Sequence, residues 1–392
     1  INLAPADIPK QGSYLDLPIA TGILAAQQVI PTDFLNKYAI IGELSLDGQV
    51  QRITGALAMA LTCQQAGLKG LILPEDNYRE ASAVKGLKLI PVSHINEVVA
   101  FLRYGEFQLP TLPHSSTSKP TGIDLSTIKG QSFAKRGLEI AAAGCHNLMM
   151  VGPPGSGKTL LARALPTILP PLDQQEAMEV MRIHSIAGTI KSEQGLIREP
   201  PFRQPHTNIT AAALIGGGRM PGPGEISLAH NGVLFLDEMT EFQSRLLDQL
   251  RQPIEQGQII INRSQHKLTF PASFIFIGAA NPCKCGYYGD PSGKCKCSPN
   301  RVRRYFERIS GPFKDRIDLQ LQTFRVAGSE LFSTGDGEKS EVVRERVILA
   351  REIQKERFRD TNIKFNSQIP PSRLKQYCLL TTEAQKILTM AL

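Results

Sequence analysis

Hydrophobic and polar positions alternate in three different ways along the chain, and the changes divide it. In the first hundred residues the alternation Ala39-Ile-Ile-Gly-Glu-Leu-Ser-Leu46 predicts a strand. Gly55 to Ala66 has helical spacing, Leu71-Ile-Leu73 and Leu87-Lys-Leu-Ile90 read as short strands, and Ile95 to Leu102 reads as a helix. Between Leu109 and Gly122 the periodicity stops in a run rich in Pro, Ser and Thr, the composition of a linker. Beyond it, Asn147-Leu-Met-Met-Val151 and Val233-Leu-Phe-Leu236 are unbroken apolar runs, as buried strands of a parallel sheet require. Towards the end, Glu341 to Phe358 sets Val342, Val343, Val347, Ile348, Ala350 and Ile353 among many charges, the pattern of an amphipathic helix. A last helix starts near Thr382-Glu383 and is still running at Leu392. The pattern predicts an α/β chain in four parts: 1–108, a linker 109–122, a core 123–324 and a helical segment 325–392. Residue 1 is not Met and neither end carries a terminating signal, so the sequence reads as a fragment.

The apolar run ending at Val151 leads into Gly152-Pro-Pro-Gly-Ser-Gly-Lys158-Thr159, which fits G-x-x-x-x-G-K-[ST], and then into the helical Leu160-Leu-Ala-Arg-Ala-Leu165. Strand, glycine loop and helix in that order form a phosphate cradle: glycines let backbone N–H groups turn inward, and the helix N-terminus adds positive potential. Gly152, Pro153, Gly155, Ser156, Gly157, Lys158, Thr159 and Leu160 are the candidate nucleotide-binding residues. The run ending at Leu236 terminates in Asp237-Glu238. Asp237 is placed to bind Mg2+ through water together with Thr159, and Glu238 to polarise an attacking water. A glycine loop alone is an ordinary turn, but the two segments in this order point to ATP hydrolysis.

Further elements extend the site. Phe274-Ile-Phe-Ile-Gly-Ala-Ala-Asn281 is a strand ending in an amide, where a side chain can orient water. Phe313-Lys-Asp-Arg316-Ile-Asp318 offers an arginine that either completes a neighbouring subunit's site or pairs locally with Asp315 or Asp318. Gly257 to Pro271 reads as a hairpin whose tip carries Arg263 and Lys267, either gripping phosphates or simply solvated. The segment His184–Glu225, rich in Gly and Pro, predicts a mobile loop with Arg203, His206 and Arg219 as further polyanion contacts.

Cys283-Lys-Cys285 and Cys295-Lys-Cys297 give C-x-C-x9-C-x-C. Four thiolates on a short loop suit tetrahedral Zn2+; two disulfides or four free thiols are the alternatives. Cys63, Cys145 and Cys378 are scattered and read as buried filler. The clustered cysteines in a nucleotide-binding chain point to a reducing, cytoplasmic compartment. A net charge of +8 permits a nucleic-acid partner without requiring one. No apolar run approaches a membrane span. The helical Arg301-Val-Arg303-Arg304-Tyr305-Phe306-Glu-Arg308 either touches a polyanion or packs its two rings beneath a solvated face.

Gly42-Glu-Leu-Ser-Leu-Asp-Gly48-Gln-Val50, Ile53-Thr-Gly55 and Ala66-Gly-Leu-Lys69 resemble the proteolytic domain of Lon proteases, which use a Ser–Lys dyad. The lysine position falls on Met59 and the serine position on Tyr14 or Ser13. A thioether cannot accept a proton, so this part reads as a scaffold. Arg316, Asn281 and the hairpin resemble AAA+ ATPases of the branch that holds magnesium chelatase and ring helicases. With Ile128-Lys-Gly-Gln131, Ala134 to Asn147, Pro223 to Gly232 and Asn281-Pro-Cys-Lys-Cys-Gly, the whole resembles the bacterial ComM/YifB family of magnesium chelatase-like AAA+ proteins. That resemblance implies a Lon-protease-like α/β domain, an AAA+ P-loop core with a helical lid, and a hexameric ATPase driving DNA branch migration during natural transformation. In it Glu238 and Asn281 act on water, and Arg316 acts on the neighbour's nucleotide. A chelatase-type motor that remodels a protein partner for Mg2+ insertion is the alternative. Two departures stand out: Pro205-His206-Thr207 replaces the family's usual histidine pair, and the lid stops before the segment expected to carry a sensor-2 arginine.

Overall fold

The computed structural model describes residues 12–33, 36–110, 122–191, 195–218, 221–262, 267–326 and 337–391. The N-terminal part holds β1 (Tyr38–Ile40), β2 (Glu43–Leu44), β3 (Val50–Gln51), β4 (Gly70–Pro74) and β5 (Lys88–Val92). β1, β4 and β5 form a parallel sheet in the order β1-β4-β5, and β2 pairs antiparallel with β3. The single strand expected at 39–46 is two strands. Gly42 spends its backbone groups on Tyr14 and Leu17 at the start of the helix Asp16–Ala26, so the ladder breaks there and the chain turns into the β2–β3 hairpin. The helices Ala56–Gln65 and Ile95–Tyr104 stand where the spacing placed them. Leu71, Ile72 and Leu73 of β4 are fully buried, as a strand covered on both faces must be.

Beyond the linker lie β6 (Leu148–Val151), β7 (Phe202–Arg203), the short pair β8 (Gly216–Gly217) and β9 (Gly222–Pro223), and β10 (Gly232–Leu236). They are followed by β11 (Gln258–Asn262), β12 (Lys267–Pro271), β13 (Phe274–Ala280) and β14 (Leu319–Gln322). One sheet runs β14-β6-β13-β10-β7 with every pairing parallel. Parallel alignment puts all strand C-termini along one edge, where open α/β sheets bind ligands. The glycine-loop strand β6 sits inside, between β14 and β13, so the loop leaves from the middle of that edge.

Phe202–Arg203, expected in a mobile loop, is the sheet's outer strand, and Ala211–Ile215 is a short helix capped by Thr210. The Gly- and Pro-rich stretch is therefore partly structured, because β10 offers Phe202 a backbone ladder and Phe235 a ring to pack on. β11 and β12 form the expected antiparallel hairpin. The helix Ser340–Arg357 lies on the helices Ser132–Gly144 and Lys158–Ile168, burying Val343 and Val347 in the sheet's core. Its Arg351 donates to the carbonyl of Ala142 at 2.7 Å and Gln354 to that of Ala143 at 2.9 Å, capping the open end of the helix Ser132–Gly144.

The helix Gln174–Ile186 joins the two sheets. Its N-terminus has a full capping box, Asp173 with Glu176, an unread D-x-x-E signal in the sequence. Met181 is buried in the core of the N-terminal part, with Ile190 beside it. The backbone N–H of Gly55 donates to Ser185 O at 3.0 Å, and the Ser185 hydroxyl donates to Glu80 of the N-terminal part.

Candidate nucleotide site and cysteine centre

Side chains from three sequence-distant segments converge at the C-terminal edge of the five-stranded sheet. Gly155 (φ +78°) and Gly157 (φ +83°) curl the loop after β6 so that the helix Lys158–Ile168 starts directly behind it. Gly152 admits no side chain: a Cβ there would sit 2.3 Å from Thr323 O and 2.1 Å from its hydroxyl. The Lys158 ammonium donates to Gly152 O at 2.7 Å, to Pro153 O at 3.0 Å and to Asn281 Oδ1 at 3.2 Å. Burial holds its pKa below the ordinary lysine value, against the opposing pull of the Asp237 and Glu238 carboxylates. Thr159 Oγ1 donates to Asp237 Oδ2 at 2.8 Å, so a hydroxyl and a carboxylate oxygen face one point, a donor pair suited to Mg2+. Glu238 takes the left-handed conformation (φ 50°), and its side chain is exposed at the edge. Leu160, one residue further, is 47% exposed on the outer face of the helix.

Two supports were missed from the sequence. Gln131 donates to Ser156 O at 3.0 Å and also to Phe324 O, and the Ser156 and Thr323 hydroxyls meet at 2.9 Å. Together they tie the glycine loop to the chain leaving β14. Gln131 lies in the Ile128-Lys-Gly-Gln131 segment, but only the fold brings it to the loop.

Arg316 is elsewhere. It precedes β14, whose Leu319 pairs with Leu148 at the start of β6, so it lies at the opposite edge of the sheet. A four-residue strand spans about 13 Å, which separates Arg316 from its own glycine loop. Its Nε donates to Glu255, rather than to the Asp315 or Asp318 weighed from the sequence, and it borders a cavity of about 850 Å3 with Glu255 and Arg351.

The hairpin and insert residues fare differently. Arg203 is engaged: its Nε and Nη2 reach the two Glu225 oxygens at 2.6 and 2.7 Å. A polyanion contact would cost that bidentate pair. Lys267 is exposed at the start of β12. Arg219 and Arg263 lie outside the described residues. In the basic helix Pro299–Phe306, Tyr305 is buried and Arg303 pairs with Glu307, so this element packs its rings. Cys378 is exposed and Cys145 half-buried against Arg351, which corrects their reading as buried filler.

Cys283, Cys285, Cys295 and Cys297 are brought together with all four sulfurs within 4.8 Å of one another. Cys283 and Cys285 are 3.2 Å apart, Cys283 and Cys295 3.8 Å, and Cys285 and Cys295 3.6 Å. Tetrahedral zinc with sulfur bonds of about 2.3 Å places sulfurs about 3.8 Å apart, so the donor set and spacing fit. A backbone N–H from Tyr287, with the Cys283 thiol, holds the Cys285 thiol down to about 6, while burial and the bonds to Cys285 and Cys283 push Cys295 up to about 11 and raise Cys297, so without a metal the cluster favours one thiolate held by neighbouring thiols.

Comparison with known proteins shows the family. Residues 124–331 match the family model described as magnesium chelatase, subunit ChlI, residues 1–77 match "Subunit ChlI of Mg-chelatase", and residues 337–392 match the ChlI C-terminal model. The chain belongs to this family. Within it, the chain is 43% identical over 384 residues to YifB of Escherichia coli, covering 98% of this chain and 74% of that one. It is 42% identical over 377 residues to the competence protein ComM of Haemophilus influenzae, covering 94% and 73%. A Lon protease of Desulfatibacillum aliphaticivorans is 35% identical over 104 residues, 25% of this chain and 12% of that one. The magnesium chelatase-like AAA+ assignment and the α/β class hold. No helix among the described residues is long and apolar enough to cross a membrane.

Proposed function

We propose that this chain is one subunit of a ring-forming ATPase that moves DNA, acting in branch migration during natural transformation and homologous recombination. The observation that carries the reading is the split site. Lys158, Thr159, Asp237 and Asn281 converge at one sheet edge, while Arg316 stands at the other. An arginine that cannot reach its own phosphate loop is suited to a neighbour's, which favours a ring; six subunits is the usual count in such ATPases.

In this mechanism Lys158 exchanges its loop carbonyls and Asn281 for phosphate oxygens of ATP. Thr159 and Asp237 would hold Mg2+, and the ion would supply positive charge to the phosphoryl oxygens. Glu238 accepts a proton from water that Asn281 orients, and the neighbour's Arg316 faces the charge that develops. Residues 1–108 serve as an assembly module joined by the 109–122 linker, 123–324 as the motor and 325–392 as its lid. Exposed Lys267 and the hairpin it belongs to supply the DNA contact, and the Cys283–Cys297 loop holds a structural zinc.

DNA as the partner is supported by the 42% identity to a competence protein. The chelatase-type motor is kept as the second reading because the matching family models carry that name. DNA-stimulated ATP hydrolysis and strand exchange on a branched DNA substrate test the first. If DNA neither binds nor changes turnover while ATP is still cut, the DNA reading fails and the protein-remodelling one stands.

A further inference from the structure

The cysteine loop touches the phosphate loop directly and is linked to its surroundings by two further contacts, one from Tyr287 and Asp290 to Arg325 and one from the helix that follows it. Residues 284–298 contain no helix or strand until the helix Pro299–Phe306 begins, and most of them are exposed. Cys283 and Gly286 are buried.

On one side Gly286 lies against the phosphate loop. It sits at φ +86°, its N–H donates to Cys283 O at 2.9 Å, and a Cβ there would come within 2.7 Å of the Pro154 ring. Pro154 is the exposed tip of the loop, next to the Pro153 carbonyl that holds Lys158. On a second side the Tyr287 ring carries the Arg325 guanidinium 5.2 Å from its centroid, and Arg325 also reaches Asp290 at 3.8 Å. Arg325 follows Thr323, which packs on Gly152 and bonds Ser156. On the third side, the helix that follows Cys297 brings the Tyr305 hydroxyl to Thr240 Oγ1 at 2.5 Å and Arg308 to Thr240 O at 3.0 Å. Thr240 is two residues from Glu238, as Cys283 is two residues from Asn281.

We propose that the Cys283–Cys297 loop, closed by its metal ion, is a brace that fixes the phosphate loop and the turn after Glu238. The proposal rests on the zinc reading of the four thiols. The loop's own bonds are short local turns, Gly286 N–H to Cys283 O, Asp290 N–H to Tyr287 O and Gly293 N–H to Asp290 O, so it is the ligand bonds that tie its two ends together, and the energy of that closure is metal-binding energy. With the thiols tied, Gly286 is pressed on Pro154 and the loop N–H groups stay aimed at one place. With them released, that wall is lost and the phosphate loop loses alignment.

The test uses the full chain, reduced and purified. Zinc content is measured by atomic emission, and the dissociation constant of a non-hydrolysable ATP analogue by calorimetry, before stripping with a chelator, after it, and after zinc is returned. The expected result is one zinc per chain and an affinity that falls by roughly tenfold on stripping, the scale of one lost charged hydrogen bond, and recovers with zinc. Gly286→Ala covers the case in which the stripped protein loses its fold: it should keep its zinc and still bind the analogue more weakly. Zinc at one per chain with unchanged affinity in both the stripped protein and Gly286→Ala overturns the brace and leaves the zinc site standing. No zinc in reduced protein overturns both.

Discussion

The chain holds two parallel sheets that end in different chemistry. In the five-stranded sheet, β6, β10 and β13 deliver Lys158 and Thr159, Asp237, and Asn281 to one edge, where Lys158 meets Asn281 at 3.2 Å and Thr159 meets Asp237 at 2.8 Å. In the three-stranded sheet, the polar groups following β4 turn inward. Asn77 and Glu80 are buried; Asn77 exchanges hydrogen bonds with Ile53 at 2.9 Å, and Glu80 accepts from Leu57 N at 3.1 Å and from the Ser185 hydroxyl. Met59, standing where a Lon-type lysine is expected, packs half-buried against apolar neighbours, and Ser13 donates to Glu43 at 2.5 Å. Polar side chains aimed outward are available to a ligand. Those consumed inward hold one part of the chain to another. By that measure the first sheet is built for chemistry and the second for attachment.

The strongest way to break this contrast is to remove groups from the open edge. Glu238→Gln should lower ATP turnover by about 10²–10⁴-fold while leaving nucleotide binding intact. Lys158→Ala should lose binding as well, and both proteins should melt close to the parent. Arg316→Ala should be comparably inactive, and mixing it with Lys158→Ala should restore part of the turnover. In such a mixture one subunit supplies an intact phosphate loop and its neighbour an intact arginine. Full activity of Arg316→Ala alone would reduce that residue to its ion pair with Glu255.

The open edge was legible in the sequence because its spacing is dictated locally. A glycine loop must follow one strand and precede one helix, and an acidic pair must end another strand, so each motif carries its own context. The four thiols were legible for the same reason. What hid was anything made by non-local approach. Gln131 and Thr323 reach Ser156 from opposite ends of the core. Glu255 claims Arg316 across 61 residues, where the sequence suggested the adjacent acids. Phe202–Arg203 lies in a stretch whose glycines and prolines argue against regular structure, and only the neighbouring β10 makes it a strand. Pro74 and the Asp173–Glu176 box mark the starts of Glu75–Ala81 and Gln174–Ile186, local capping signals that hydrophobic periodicity alone does not register.

The inward polar groups give the next largest effect. Glu80→Ala strips the partner from Leu57 N–H, Asn77 and Ser185 in a buried setting, and each unsatisfied group costs about 1–3 kcal/mol. Thermal unfolding should show a loss of roughly 3 kcal/mol, while turnover per folded molecule at low temperature stays near the parent. A protein that melts normally but loses turnover would show that Glu80 serves the chemistry, and the contrast between the sheets would fall.

The smallest expected effect concerns the seam itself. The helix Gln174–Ile186 is fastened to the segment before β10 by two histidines. His184 Nε2 lies 3.1 Å from Leu228 O, and His230 Nε2 lies 3.2 Å from Glu179 while its Nδ1 accepts from Ser273 N–H. Burial holds both below the ordinary histidine value, and at His230 it outweighs the neighbouring Glu179 carboxylate. A depressed pKa in the folded chain means the unfolded chain takes up protons first. Stability is therefore whole above about pH 6.5 and is lost as pH falls through the unfolded value towards the folded one. The melting temperature should drop between pH 7.5 and pH 5.5 by about 1–2 °C, since a chain of 392 residues shifts by only about 1 °C for each kcal/mol lost. His230→Gln should flatten that dependence, since an amide can occupy the seam without titrating. An unchanged slope in His230→Gln would move the acid sensitivity away from this seam.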